Sequence, residues 1–326
     1  MVRSVKLNSG SSLPVLGMGT VALTESQQQV KDALLTAIQV GYRHFDTAML
    51  YGTEAALGDA LVEAFSTGLV KREEIFVTTK LWITDNYPAA VLPAVQTSLR
   101  KLKLDYVDLY LMHWPIAAKD WIMTLPTKDQ ILPHVDLKGV WAELEHCVEK
   151  GLIKSIGVSN FSSKKLESLL SYAKIPPAVN QVEMHACWQQ KQLREYCKSK
   201  GIQITAYSPL TSPAPGAEVY FDQRISVLKD PIILAIAEQH AKSPAQIALR
   251  WIIETGCIPV PKSFNKSHMS ENLEIFDWEL TDEDRQKIST IPQARGSCAE
   301  FMVNEATGPY RTLQELWDDD GDSVAS

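Results

Sequence analysis

The sequence has no long apolar run and little cysteine. No stretch of its 326 residues approaches the roughly 20 apolar residues that a membrane-spanning helix needs. The first ten residues, MVRSVKLNSG, contain no apolar core, so we expect no secretory signal. The five cysteines are odd in number and form no CxxC pair, which favours reduced thiols over a disulfide framework or a zinc site. We therefore expect a cytoplasmic protein without a membrane partner.

An excess of basic residues is also missing. The net charge of −7 and the pI of about 5.6 argue against a broad surface for nucleic acid. No GxGxxG motif follows a strand pattern, so the usual dinucleotide-binding fold is not indicated. We interpret the acidic segment WDDDGD, which begins at Trp317, as a solvated terminus.

Short β-branched runs alternate with amphipathic helical patterns along the whole chain. The candidate strands are VLGMGT, HFDTA, IFVTTKLW, YVDLYLMHWP, SIGVSNF, AVNQVEM, IQITAYSPL and CIPVPKS. Most are nearly continuous apolar runs, as in a buried parallel sheet, and helical patterns such as 29–40, 137–151 and 164–173 lie between them. Eight such units predict a (β/α)8 TIM barrel, an α/β fold, preceded by a β-hairpin around Asn8-Ser9-Gly10. No linker divides the chain, so we expect a single domain over residues 1–326.

Polar side chains stand at most of the predicted strand ends, where barrel enzymes carry their chemistry. They are Asp46, Lys80, His113, Ser159, Asn160, Gln181, Glu183, Tyr207, Ser208, Lys262 and Ser263. Any one of them is compatible with an ordinary turn, but their recurrence at successive strand ends predicts a shared site. Glu183 has no assigned role at this point.

The stretch HFDTAMLYG places Asp46 five residues before Tyr51, and Lys80 and His113 end the next two predicted strands. A tyrosine with a pKa of about 10 is a poor acid at neutral pH. An ammonium at about 4 Å, with an effective dielectric near 20, is worth roughly 4 kcal/mol, or about 3 pKa units. Lys80 is therefore expected to lower the pKa of Tyr51, with Asp46 holding Lys80 and His113 orienting a carbonyl group.

Several motifs resemble one family. GYRHFDTAMLYG, TKLW, LMHWP, IGVSNF, NQVE, AYSPL and PKSF occur in the order found in the aldo-keto reductase superfamily. The chain most resembles its plant group with codeinone-reductase-like, methylecgonone-reductase-like and deoxymugineate-synthase-like enzymes. The resemblance implies a monomeric barrel with a C-terminal loop over the pocket, the catalytic residues Asp46, Tyr51, Lys80 and His113, and no metal. The implied reaction is hydride transfer from NADPH to an aldehyde or ketone in plant specialised metabolism.

The resemblance also implies a cofactor site. Its predicted residues are Thr20, Asp46, Ser159, Asn160, Gln181, Tyr207, Ser208, Leu210, Ser212, Lys262, Ser263, Phe264, His268, Glu271 and Asn272. Lys262 and Ser263 match the pair that holds the adenosine 2′-phosphate. Two positions depart from the family. Thr211 stands where glycine is usual, so we expect a different local backbone, and His268 stands where an arginine grips the phosphate. Neutral histidine brings no charge, so we expect weaker discrimination against NADH.

Apolar side chains beside the predicted tetrad resemble the family's substrate pocket. They are Val21, Met49, Trp82 and Trp114, together with His113, and Trp121, Met123, Trp188 and Phe301 are further candidates from rim loops. Such walls suit a hydrophobic or alicyclic carbonyl compound. The segment Pro213–Ser226 is interpreted as a lid over the cofactor.

Two alternatives remain open from the sequence. The same site could work mainly as an NADP-dependent alcohol dehydrogenase, because the residues do not set the direction of the reaction. The chain could also be a cofactor-binding, partner-dependent subunit, although an intact tetrad argues against a pure binding role.

Overall fold

Eight parallel strands form one sheet, in which neighbours along the chain are neighbours in the sheet. The structure is a computed structural model that describes residues 3–119, 126–211, 225–297 and 299–318. Two strands of an N-terminal hairpin come first, and the sheet strands are numbered after them. They are β3 (Met18–Gly19), β4 (His44–Asp46), β5 (Phe76–Leu81), β6 (Val107–Met112), β7 (Ile153–Ser159), β8 (Val179–Glu183), β9 (Gln203–Tyr207) and β10 (Ile258–Pro259).

The first and last strands of this sheet meet and close it into a barrel. Backbone N–H groups of Gly17 and Gly19 donate to the carbonyl oxygens of Pro259 and Pro261 at 3.0 and 2.9 Å. A Cβ at Gly17 would lie 2.8 Å from Cγ1 of Val260, and one at Gly19 would lie 3.0 Å from the carbonyl oxygen of the same residue. Glycine at both positions therefore lets the closing strands approach each other.

The hairpin covers the N-terminal end of the barrel. Strands β1 (Ser4–Lys6) and β2 (Ser12–Pro14) pair antiparallel, and Gly10 turns the chain with φ 87°, a value that glycine adopts freely. Leu7 and Leu13 pack against apolar side chains of the barrel strands. The predicted fold, a barrel with an N-terminal hairpin, is confirmed.

Helices surround the barrel and cover the outer face of the sheet. They are α1 (Gln27–Val40), α2 (Glu54–Ser66), α3 (Pro88–Leu102), α4 (Leu137–Glu149), α5 (Ser163–Leu170), α6 (Lys191–Ser199), α7 (Pro231–His240), α8 (Pro244–Glu254), α9 (Lys266–Leu273) and α10 (Asp282–Ser289). A further short helix, α11 (Leu313–Trp317), belongs to the C-terminal segment. Short 3-10 turns cover Met49–Tyr51, Arg72–Glu74, Ile83–Asp85, Lys128–Gln130, Val227–Lys229 and Glu300–Met302. Helix α1 shows how local chemistry sets the ends: Ser26 and Gln29 form a capping box, and Gly41 ends the helix with φ 118°.

The C-terminal segment 299–318 lies over the carboxyl end of the barrel. Ala299, Met302 and Leu316 share an apolar cluster with Trp82 and Trp114. Asp318 fastens the end of this segment to the start of α5, because Ser162 Oγ donates to its carboxylate at 2.6 Å and the Lys165 ammonium donates to it as well. The interpretation of WDDDGD as a solvated terminus is therefore wrong for Trp317 and Asp318, and residues 319–322 lie outside the described part.

Several predictions fall outside the described residues: those for Ser212, for Trp121 and Met123, and for nearly all of the lid segment 213–226. The cysteines that the structure describes, at 147, 187, 197 and 257, are buried and form no disulfide bond with one another. None of the described helices is long and apolar enough to cross a membrane.

Candidate active site

Three neighbouring strands bring the four predicted catalytic residues together. Asp46 ends β4, Lys80 is the last residue but one of β5, and His113 follows β6 directly. Tyr51 belongs to the 3-10 turn Met49–Tyr51 after β4, and Gly52 ends that turn with φ 66°. Because all three strands are parallel and adjacent, their carboxyl ends place these side chains on one rim.

The ammonium of Lys80 is the centre of the cluster. It is fully buried and donates to Asp46 Oδ1 at 2.6 Å, to the carbonyl oxygen of Thr47 at 2.9 Å and to the Tyr51 hydroxyl at 3.3 Å. These three acceptors satisfy the three N–H donors of an ammonium group. Lys80 is thus held in one orientation, with one donor directed at the phenol oxygen.

Asp46 links the catalytic cluster to the predicted cofactor residues. Its second carboxylate oxygen, Oδ2, accepts a hydrogen bond from Gln181 Nε2 at 2.6 Å. This bond leaves the carbonyl oxygen of the Gln181 amide as the group that can accept from a bound carboxamide N–H. Tyr51, Lys80, Asp46 and Gln181 therefore form one hydrogen-bonded unit.

The pKa of Tyr51 differs from the sequence-based expectation. Burial raises it; the Lys80 ammonium lowers it and the Asp46 charge raises it further, so that the net shift is upward. Burial also opposes the charged form of Lys80, but Asp46 and Tyr51 outweigh that effect and raise the pKa of the ammonium. The expectation of a lowered pKa for Tyr51 is wrong, because desolvation of the phenolate exceeds the attraction of one ammonium that Asp46 already pairs.

His113 is a neutral imidazole at physiological pH. Burial lowers its pKa well below the ordinary value, and the Lys80 charge lowers it further. The ring makes edge contacts with Tyr51 and Trp82, at centroid distances of 5.8 and 5.2 Å. Asn160 Nδ2 donates to the backbone carbonyl oxygen of His113 at 3.0 Å, which fixes the start of this loop.

Four of the predicted nicotinamide-binding residues form a second network at the ends of β7, β8 and β9. Asn160 adopts φ 62° and accepts a hydrogen bond from the Tyr207 hydroxyl at 2.9 Å. Ser159 Oγ donates to the carbonyl oxygen of Gln181 at 2.8 Å. Thr20 also lies nearby in the fold, at the end of β3, but it is fully buried and its hydroxyl pairs with Thr53 at 2.9 Å.

The loop after β9 has the backbone conformation that glycine favours. Ser208 and Thr211 have φ values of 50° and 44°, and Leu210 between them is partly exposed. Thr211 Oγ1 accepts a hydrogen bond from the Val227 N–H at 2.7 Å. Thr211 thus adopts the left-handed region despite its β-branched side chain.

The predicted adenosine-binding residues lie after β10 and in α9. The ammonium of Lys262 stands 4.2 Å from the centre of the Phe264 ring, next to Ser263. His268 is exposed in the first turn of α9. Glu271 is partly exposed and Asn272 is buried on the same helix.

Apolar side chains form walls around the cluster. Met49, Trp82 and Trp114 are buried in one group, while Val21 is partly exposed. Trp114 makes tilted or edge contacts with Phe301 and Trp317 of the C-terminal segment, at centroid distances of 6.5 and 5.7 Å. These contacts place the predicted substrate-lining residues beneath residues 299–318.

Sequence reasoning assigned no role to Glu183 and did not single out Arg295, although both shape this region through long-range contacts. Glu183, fully buried at the end of β8, accepts from His185 Nε2 at 2.9 Å and from the backbone N–H groups of Gly296 and Ser297 at 2.7 and 2.9 Å. It therefore anchors the start of the C-terminal segment. The guanidinium of Arg295 stacks over Trp317, 3.8 Å from the ring centre. The place of Glu183 at a strand end was visible in the sequence, whereas no sequence pattern marked Arg295.

The part of the chain that the structure describes contains no group of three His, Cys, Asp or Glu side chains that could hold a metal ion.

Known proteins resemble this chain over almost its whole length. The model of the Aldo/keto reductase family matches residues 15–292. The chain is 50% identical over 308 residues to a (1S)-1,7-diacetoxy-luvungin A aldo-keto reductase of Citrus sinensis, with 94% of each chain covered. It is 49% identical over 324 residues to NADPH-dependent codeinone reductase 1-4 of Papaver somniferum, with 98% of each covered. A solved structure of a Bombyx mori aldo-keto reductase in complex with NADP has a TM-score of 0.82 at 37% identity, covering 90% of this chain and 94% of that one.

The chain belongs to the aldo/keto reductase family. The family and the class of enzyme predicted from the sequence are confirmed.

Proposed function

We propose that this protein reduces an aldehyde or ketone to an alcohol with NADPH, and that Tyr51 donates the proton. The observation that carries the proposal is the buried contact of the Lys80 ammonium with both Asp46 and the Tyr51 hydroxyl. When bound, the reduced nicotinamide supplies hydride to the carbonyl carbon. The chain's own task is to hold the carbonyl oxygen near a proton donor and to stabilise that donor as it loses its proton.

Tyr51 suits the role of the acid better than His113. The raised pKa of Tyr51 keeps the phenol protonated at neutral pH, and the lowered pKa of His113 leaves that ring without an acidic proton to give. As the phenol transfers its proton, Lys80 continues to donate a hydrogen bond to the phenol oxygen and offsets the new negative charge. His113 remains able to orient the carbonyl oxygen as a neutral hydrogen-bonding group.

The residues at the carboxyl end of the barrel fit a nicotinamide coenzyme. The Gln181 amide, fixed by Asp46, offers an acceptor to a carboxamide, and Tyr207 offers an aromatic face. At the other end, Lys262 places a cation beside the Phe264 ring, a combination that suits an adenosine phosphate. The names of the Papaver relative and the Bombyx complex, which specify NADPH and NADP, support the same coenzyme.

His268 is proposed to weaken the preference for NADPH over NADH. Its exposed imidazole lacks the permanent charge and the forked donors of arginine. His268→Arg should tighten NADPH binding more than NADH binding, because arginine adds a permanent charge and forked donors for a phosphate. Dissociation constants of both coenzymes for the wild type and for His268→Arg test this. An arginine variant without any gain in NADPH affinity would rule out the role of this position.

The apolar walls favour a hydrophobic or alicyclic substrate, and the plant relatives suggest specialised metabolism. We further propose that the chain works as a single barrel domain, as a monomer and in the cytoplasm.

The reaction is tested by following the absorbance of NADPH with a panel of aldehydes, cyclic ketones and alkaloid-type ketones. Coenzyme oxidation that depends on a carbonyl compound supports the proposal. Coenzyme binding without turnover on any carbonyl or alcohol would instead favour the partner-dependent binding role.

A further inference from the structure

An acidic side chain already pairs with the lysine assigned to the adenosine phosphate. Glu25 Oε1 lies 2.8 Å from the ammonium of Lys262. Both side chains are about a quarter exposed, at 25% and 22%, so a ligand could reach the pair from solvent. The contact links the loop between β3 and α1 to the segment after β10.

Barrel closure brings these two segments together. Gly19 donates to the Pro261 carbonyl oxygen, and a Cβ at Gly19 would lie only 3.5 Å from Cβ of Lys262. Further along the chain, Ser26 caps α1, so Glu25 sits in a short loop between two fixed points. Its other carboxylate oxygen, Oε2, accepts from the backbone N–H of Thr24 at 3.2 Å. Glu25 is therefore held toward Lys262 from both sides.

Glu25 carries its negative charge at any physiological pH. Burial works against the charged form, but hydrogen bonds from Lys262 and from the backbone of Thr24 outweigh it and lower the pKa to about 2. A 2′-phosphate that binds Lys262 must therefore displace the Glu25 carboxylate from the ammonium, and the negative charge of that carboxylate repels the phosphate. The same carboxylate favours an unphosphorylated ribose, because the 2′-hydroxyl can donate a hydrogen bond to it.

We propose that Glu25 is a coenzyme-selecting residue, which competes with the adenosine 2′-phosphate for Lys262 and accepts a hydrogen bond from an unphosphorylated 2′-hydroxyl. This inference rests on the proposed function, because it takes Lys262 as the phosphate-binding residue. It assigns a physical role to a position that no motif marks. It also predicts that the NADPH preference is limited from two places, by the carboxylate of Glu25 and by the missing guanidinium at His268.

The test measures binding at the adenosine end alone. Calorimetry with 2′,5′-ADP and with 5′-AMP, at one fixed ionic strength, compares two probes that differ only in the 2′-phosphate. Fluorescence titrations with NADPH and NADH repeat the comparison with the whole coenzymes. For Glu25→Gln we expect about three- to tenfold tighter binding of 2′,5′-ADP and NADPH, from relief of competition and repulsion. Binding of 5′-AMP and NADH should stay equal or weaken.

A charge-matched control is Glu63→Gln, which removes one carboxylate from the partly exposed Lys31–Glu63 pair between α1 and α2. It should leave all four dissociation constants unchanged. If Glu25→Gln shifts the phosphorylated and unphosphorylated probes by the same factor, or shifts neither, the selecting role is refuted while the reductase proposal stands. If the wild-type protein binds neither coenzyme, both proposals fail together.

Discussion

Removing the Lys80 ammonium tests how the phenol is made to act as an acid. In Lys80→Met the hydrogen bond of 3.3 Å to the Tyr51 hydroxyl disappears. At an effective dielectric of about 20, an ammonium at 3.3 Å stabilises a phenolate by about 5 kcal/mol. With the proton about half transferred in the transition state, roughly 2.5 kcal/mol is lost, or about 70-fold in rate. Asp46, left without its partner, also disfavours the phenolate, so we expect kcat to fall by about 10² to 10³.

The assay is single-turnover oxidation of NADPH at saturating carbonyl substrate, which separates chemistry from product release. Lys31→Met is the matched control, since it makes the same substitution in a partly exposed ion pair. Breaking a buried pair costs about 3–5 kcal/mol of stability, so the double variant Lys80→Met, Asp46→Asn provides a folded alternative without a lone buried charge. A folded, coenzyme-binding variant whose single-turnover rate stays within about threefold of wild type would refute the reasoning.

Three further predictions follow from the site. The kcat for carbonyl reduction should stay constant from about pH 6 to about pH 9, because burial raises the pKa of Tyr51 and lowers that of His113. The rate of alcohol oxidation should increase with pH, because that direction needs the phenolate. A reductive rate that falls near neutral pH would contradict the assigned protonation states. Val21→Trp should raise KM for bulky ketones more than for small aldehydes, and equal effects on both would exclude Val21 from the pocket wall. In Asp318→Ala, Lys165 and Ser162 lose their acceptor, so the variant should lose about 1 to 3 kcal/mol of stability. Hydrogen exchange in residues 299–317 should increase, and KM for large ketones should rise. Unchanged exchange would show that the apolar cluster alone holds the segment.

The barrel could be predicted from the sequence because its pattern is local. The run HFDTA predicts β4 and the run YVDLYLMHWP contains β6, while the helical pattern 29–40 differs from α1 by only two residues at its start. Polar residues at the ends of parallel strands must share one rim, so the positions of Asp46, Lys80 and His113 along the chain were enough to assign them to one site.

The remaining features depend on contacts between distant segments, which no local pattern encodes. Trp317 and Asp318 read as part of an acidic terminus, but α5 supplies Lys165 and Ser162 to bind the carboxylate. Glu25 reads as an ordinary loop residue until barrel closure places Lys262 beside it. The direction of the Tyr51 pKa shift also depends on how deeply the cluster is buried, a quantity that residue spacing does not give.

Tyr51→Phe tests the central claim most directly, because it removes only the hydroxyl to which Lys80 donates. The measurement is the single-turnover rate of NADPH oxidation, alongside NADPH binding followed by quenching of protein fluorescence. The account predicts unchanged coenzyme binding and a rate lower by at least about 10². A variant that binds NADPH and reduces the substrate at the wild-type rate would show that another group supplies the proton.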